Sequence, residues 1–373
     1  MRKLCVIIIA AFFVFCVPCV CFADEDVDLI LKQELDVLDF SAWNYSDDEF
    51  NVNARNMIEN YLSGDAKVNA QGITDYLIHR LKSTVLSKLP LMLMLIATGL
   101  LSGVYTSFIP EKKSGLREIL GFVTVAMCSA SILGAAVSVI SSAADAITKT
   151  SDFAQSVLPI MSVIMIASGR KATEAVFSPV MAFLSGTGTL FLKNIIMPLI
   201  AAGFVLAFLN ALGSKGRTSR LLGLAKSSIK WICGIFTAVF SGIVGIYGLG
   251  AKAHDTLMMK TTKYVLDKSV PFVGSFLSGA ADTVLECFTA IKSASGVVVI
   301  LILVLIALKP LFDILCTVLA LRISAALCEP VADERLPKLM GDTADVAKFL
   351  FAAVALITVM FVIAVGLCAC IFT

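Results

Sequence analysis

Residues 260–330 decide how this chain is built. They read KTTKYVLDKSVPFVGSFLSGAADTVLECFTAIKSASG over 260–296, an unbroken apolar run to Leu308, then Lys309-Pro310 and LFDILCTVLALRISAALCEP. Two short apolar arms, 264–278 and 280–291, flank Ser278-Gly279 and carry Asp267, Lys268, Asp282 and Glu286. Apolar runs so short and interrupted suit a re-entrant or interfacial segment better than a full crossing. They feed the apolar segment 294–327, too long for one straight pass and too short for two. A single helix kinked at Pro310 is therefore expected.

Moving outward, the whole chain shares this character. Of its 373 residues 58% are hydrophobic and 16% charged, more apolar surface than one soluble core can hide. The fold class this predicts is an all-α polytopic integral membrane protein with about six to eight membrane-embedded helices. The net charge of +2 says little, because the charges are segregated along the chain.

The organisation of 260–330 has an earlier echo. Lys149, Phe153, Pro159, Ser168-Gly169 and Pro198 precede Lys260, Tyr264, Pro271, Ser278-Gly279 and Pro310 by 110 to 112 residues. This predicts two membrane repeats, 119–212 and 231–328, each opening with a spanning segment (119–140 and 231–250). Both openings start on the same side, so the repeats are parallel. The arms of each unit begin and end on one side, whether they cross twice or re-enter. Irregular backbone at membrane depth survives only where protein or trapped water satisfies it, which predicts a polar cleft between the units. The competing reading is that the Ser-Gly pairs let helices pack closely.

Orientation follows from charge. Met1-Arg2-Lys3, an apolar run and Cys21-Phe22-Ala23 read as a signal peptide over 1–23, an uncleaved anchor being the alternative. Residues 24–88 form an acidic, helical extracytoplasmic region, with an amphipathic pattern over 54–62. Residues 89–118 hold the first transmembrane helix and its loop. Between 213 and 230 lie Lys215, Arg217, Arg220, Lys226 and Lys230 without an acid, which makes this loop cytoplasmic. A mixed-charge cytoplasmic loop (329–346) and a last transmembrane helix (347–373) complete the chain.

The charges placed inside a membrane helix are Lys309, Asp313 and Arg322. Such residues are costly unless paired or facing water, and are functional candidates on that ground. Lys309 and Asp313, four apart, are set to pair on one face, with Arg322 snorkelling to the interface. With the punctuating residues Pro159, Ser168, Gly169, Pro271, Ser278, Gly279, Asp282 and Pro310, these are the candidate site. His79 and His254 lie far apart and no Cys/His spacing suits a metal. No nucleophile motif or Gly-rich phosphate loop is present. No enzyme activity, cofactor or nucleic-acid partner is expected, and the basic helix over 218–230 suits anionic lipid.

Certain long blocks resemble the stage III sporulation protein AE family: TTKYVLDKSVPFVGSFLSGAADTVLECFTAIKSASG, the closing ALCEPVADERL, and in support QGITDYLIHRLKSTVLSKLP, LPIMSVIMIASG with FSPVM, and RLLGLAKSSIKWICGIF. The resemblance covers nearly the whole chain. It implies a mother-cell membrane protein around the engulfed forespore, one subunit of a channel or secretion-like complex required for late forespore development. It also implies partners: a cytoplasmic ATPase, ring-forming and small membrane subunits, and a forespore-side protein. The family supplies no active-site residues. The alternative function is a stand-alone small-solute transporter with its cleft between the repeats.

Overall fold

The computed structural model describes residues 40, 43, 45–47, 50–62, 70–108, 114–212, 218–269 and 274–369. The expected signal peptide, most of the acidic stretch before Tyr45, and Pro271 lie outside these residues. A two-stranded antiparallel sheet, β1 (Tyr45–Asp47) and β2 (Phe50–Val52), pairs Tyr45 with Val52. Helices follow: α1 (Ala54–Leu62), α2 (Ala70–Phe108), α3 (Ser114–Ala167), α4 (Lys171–Leu212), α5 (Ser219–Ser269), α6 (Gly274–Cys328) and α7 (Arg335–Ala369). Two π-helical turns, Leu184–Gly188 and Leu192–Ile196, interrupt α4.

The N-terminal region is thus not purely helical. Its irregular stretch pairs as strands because Tyr45, Phe50 and Val52 are strand-favouring residues. The amphipathic pattern at 54–62 does form α1. Its start is capped by Asn53, whose Oδ1 accepts the Asn56 N–H at 3.3 Å.

The larger departure is helix length. α3, α5 and α6 hold 54, 51 and 55 residues; at about 1.5 Å per residue each reaches roughly 75–83 Å, against a hydrocarbon core about 30 Å thick. The arms expected as separate pieces are far portions of these helices. Pro159 lies inside α3 and Pro310 inside α6, and Ser278 and Gly279 are helical with no chain reversal. Proline's fixed φ fits a helix and removes one hydrogen bond. Pro310 is buried, and in its apolar surroundings the helix remains the best way to satisfy the other backbone groups; Pro159 is exposed, and α3 continues through it. The loop expected over 329–346 shrinks likewise, since α7 begins at Arg335.

The chain turns between Ala167 and Lys171, and α5 ends at Ser269 before α6 begins at Gly274. Ser168-Gly169 and Ser278-Gly279, matched in the register of 110–112 residues, therefore stand in different settings, the first in a turn and the second within a helix. The first turn does use Ser168-Gly169. Gly169 has φ 75°, the left-handed conformation glycine adopts without penalty. Its N–H bonds Ile166 O at 3.0 Å, and the Arg170 N–H reaches Met165 O at 2.9 Å. These are the two bonds of a Schellman cap, which satisfies the last carbonyls of α3.

We call the end carrying this turn upper, and the end carrying the connections at 109–113 and 213–217 lower. α6 packs on α7, α3, α2, α5 and α1, and α7 on α4, α3 and α5, so these two helices form the centre. Their sequences explain the place: VVVILILVLIAL in α6 and FLFAAVALITVMFVIAVG in α7 are apolar all round, the mark of a buried helix. Among residues 288–308 of α6 none is exposed.

The outward face of α3 changes chemistry along its length. Exposed residues in the lower part include Ile119, Phe122, Val123, Met127, Leu133 and Val137. Above them Ser141, Asp145, Lys149, Asp152 and Gln155 are exposed, followed by Val163 and Ile166 near the top of the helix. Lower α6 shows the apolar face too, exposing Leu315, Leu319, Ile323 and Leu327, as does α5 with Leu221, Leu224, Trp231, Ile235 and Val239. On α3 the apolar face from 119 to 137 is about 27 Å tall, close to a bilayer's hydrocarbon thickness.

Candidate functional site

The densest polar constellation lies at the lower end, where α4, α5, α6 and α7 converge. Lys226 Nζ of α5 reaches Asp342 Oδ1 at 3.0 Å and Asp345 Oδ2 at 3.5 Å, both on α7. Asp345 also receives Lys348 Nζ at 2.9 Å, and the Arg322 guanidinium of α6 bonds to it. The second oxygen of Asp342 accepts the Asn210 amide of α4 at 2.9 Å, while Asn210 Oδ1 faces the Thr218 hydroxyl at 3.4 Å. Each carboxylate thus holds two or more helices. Such pairing answers the cost of placing charge in a bundle with an apolar exterior.

Local sequence explains the convergence. Arg335, Lys338, Asp342, Asp345 and Lys348 recur every three or four residues, one stripe of a helix. Read as loop, this stretch hides the stripe; as the first turns of α7, it aims Asp342 and Asp345 at α5 and α6. Arg322 therefore has a specific partner rather than only snorkelling.

The second site joins α2 to α6. Asp313 Oδ1 lies 2.6 Å from Lys88 Nζ, so its partner comes from the first long helix and not from Lys309 one turn away. Lys309 itself is exposed. Lys88 borders an open groove of about 480 Å³ lined by Leu91, Met94 and the small residues Ala130, Ser131, Gly134 and Ser138 of α3. Below it α2 closes on the α6–α7 connection through Gly99 and Gly103. A Cβ on Gly103 would stand 2.2 Å from Val331 Cγ1 and 2.7 Å from Val331 O, so this spacing of small residues lets the chains meet.

The third constellation closes the upper turn. Asp255 of α5, 2% exposed, accepts the N–H groups of Ala172 and Thr173 at 2.8 and 2.9 Å and the Thr173 hydroxyl at 2.5 Å. It caps the start of α4 from another helix and meets the positive end of the helix dipole. Burial pushes the Arg170 guanidinium below its ordinary value, and Asp255 beside it opposes that shift. Arginine's ordinary value is so high that the charge persists. Trp43 lies against the upper part of α3. Its buried indole N–H donates to Ser156 O at 3.3 Å, and its ring meets Phe40 edge to face.

Of the residues singled out from sequence, Asp313 and Arg322 stand in ion pairs on different partners, and Ser168 and Gly169 form the α3–α4 turn. Pro159 and Pro310 are interior to helices. Ser278, Gly279 and Asp282 are helical residues of α6 whose side chains fall outside the description, as does Pro271 altogether. Lys88, Lys226, Asp255, Asp342 and Asp345 were missed. Among the described residues no group of three or more His, Cys, Asp or Glu could hold a metal. The same residues contain six helices long and apolar enough to cross a membrane, which marks an integral membrane protein.

Comparison with known proteins then gives the family. The model of Stage III sporulation protein AE matches residues 52–371. The chain belongs to the stage III sporulation protein AE family. A curated relative, Stage III sporulation protein AE of Bacillus subtilis (strain 168), is 25% identical over 219 residues, covering 59% of this chain and 55% of that protein. No solved structure matches. Family membership ties the chain to stage III of sporulation, and nothing in the family description names a catalytic activity.

Proposed function

We propose that the chain is a membrane subunit of a channel or secretion-like complex between mother cell and forespore. It sits in the mother-cell membrane and is required for late forespore development. The lower half of the bundle lies in the bilayer, with the connections at 109–113 and 213–217 in the cytoplasm. The upper half and the N-terminal region stand in the space between the two membranes. The carrying observation is the switch on α3 from exposed Phe122, Leu133 and Val137 to exposed Asp145, Lys149 and Asp152. A helix that leaves lipid and continues for about 40 Å offers a surface to other subunits. Its partners in this reading are a cytoplasmic ATPase, ring-forming and small membrane subunits, and a forespore-side protein.

The transporter alternative needs an open polar path. Lys88, Lys226 and Arg322 pair with carboxylates on other helices, and the groove beside Lys88 opens outward, which supports the subunit reading. Purification from sporulating cells after mild cross-linking should recover a multi-protein assembly, while the chain alone in liposomes should pass no small solute. Solute-selective flux by the isolated chain would overturn the proposal.

A further inference from the structure

We propose that the cationic cluster where α5, α6 and α7 meet binds the phosphodiester headgroup of an anionic glycerophospholipid from the inner leaflet. The inference rests on the membrane setting of the lower half and not on a role in sporulation.

Charge balance is the first ground. Lys226, Arg322 and Lys348 surround Asp342 and Asp345, leaving one positive charge in excess. Lys230, one helical turn beyond Lys226 and exposed, adds a second. The Arg322 side chain keeps 47% of its surface open and Lys348 32%. Arg322 thus has donors to spare after binding Asp345, and a guanidinium fork suits a phosphate.

The surroundings choose among anions. Leu319 and Ile323 flank Arg322 on the exposed face of α6, and Leu224, Trp231 and Ile235 flank Lys230 on α5. An anion arriving here brings apolar chains with it or leaves those faces bare. Depth agrees: Arg322 lies six residues from the end of α6, Lys226 seven from the start of α5 and Asp342 seven from the start of α7. That is about 10 Å from the helix ends, within reach of the headgroup layer for long cationic side chains. Basic pockets between helices on the cytoplasmic side recognise such headgroups.

The experiment uses the full chain purified in detergent, offered equal phosphatidylglycerol and phosphatidylcholine. Retained lipid is read by native mass spectrometry and stability by thermal unfolding at fixed ionic strength. Phosphatidylglycerol should be retained about tenfold over phosphatidylcholine and should raise Tm. Lys230→Gln should cut that preference about fivefold, and adding Arg322→Gln should abolish it. Lys230 stands outside the ion-pair network, so its variant tests binding without disturbing the packing. Equal retention of both lipids by the wild type, or an undiminished preference in Lys230→Gln, would overturn the proposal. So would inorganic phosphate giving the same Tm shift at the same concentration, because the site would then hold a free anion.

Discussion

The lower and middle stretches of α3 show an inversion in the chemistry of the face they turn outward. Below, Leu133, Val137, Leu319 and Ile323 face outward while Lys226, Arg322, Asp342 and Asp345 join the helices within. Above, Asp145, Lys149 and Asp152 face outward, while Ile147, Ala154, Val157 and Met161 of the same helix are buried. The upper interior has exceptions, notably the fully buried Lys292, and its hydroxyls turn to nearby carbonyls, as Thr150 does to Ala146 O at 2.8 Å. The inversion teaches that one continuous helix meets two solvents. Its outer face matches whichever solvent it meets. Where lipid removes the hydrophobic gain from packing helices together, polar bonds and close contacts take over.

Substitutions can break or sharpen that contrast. The largest effect should come from Asp255→Ala in the upper half. It leaves two N–H groups, a hydroxyl and the nearby Arg170 without their carboxylate, and should lower stability by about 3–5 kcal/mol. Asp255→Asn, which keeps an acceptor, should restore part of the loss in the same denaturant titration. Next comes a matched pair on the outer face of α3. Leu133→Lys should impair membrane insertion by about 3 kcal/mol, whereas Asp145→Lys should change stability by less than about 0.5 kcal/mol. Equal penalties would erase the distinction between the halves. A smaller penalty than that of Leu133→Lys should follow from Trp43→Phe, which removes one hydrogen bond worth about 1 kcal/mol. Hydrogen exchange should rise in α1 and leave α6 and α7 unchanged.

The spans were legible because composition is a local signal. Apolar runs at 231–250 and 347–373 mark helices without knowledge of any neighbour, and Ser168-Gly169 betrays its turn because only glycine suits the cap. Helix continuity was harder to read. Pro310 looks like a break in isolation, and only its buried, apolar surroundings make the unbroken helix preferable. Pairing was the least legible. Asp313 stands one turn from Lys309 in sequence, yet its partner Lys88 is brought by a helix more than two hundred residues away. Asp342 and Asp345 could have been found from their helical spacing with Lys338 and Lys348. Asp255 carried no local sign, because the helix start it caps belongs to another element.

The seat of Trp43 also orders events in time. Its hydrogen-bond partner, Ser156, lies 113 residues further along, and α1 rests on α6 as well. The segment carrying Trp43 therefore has no completed surface to settle on until most of the chain has been made and inserted. A segment so seated waits on α3 and α6 together, and a chain truncated before α6 would carry it without its seat.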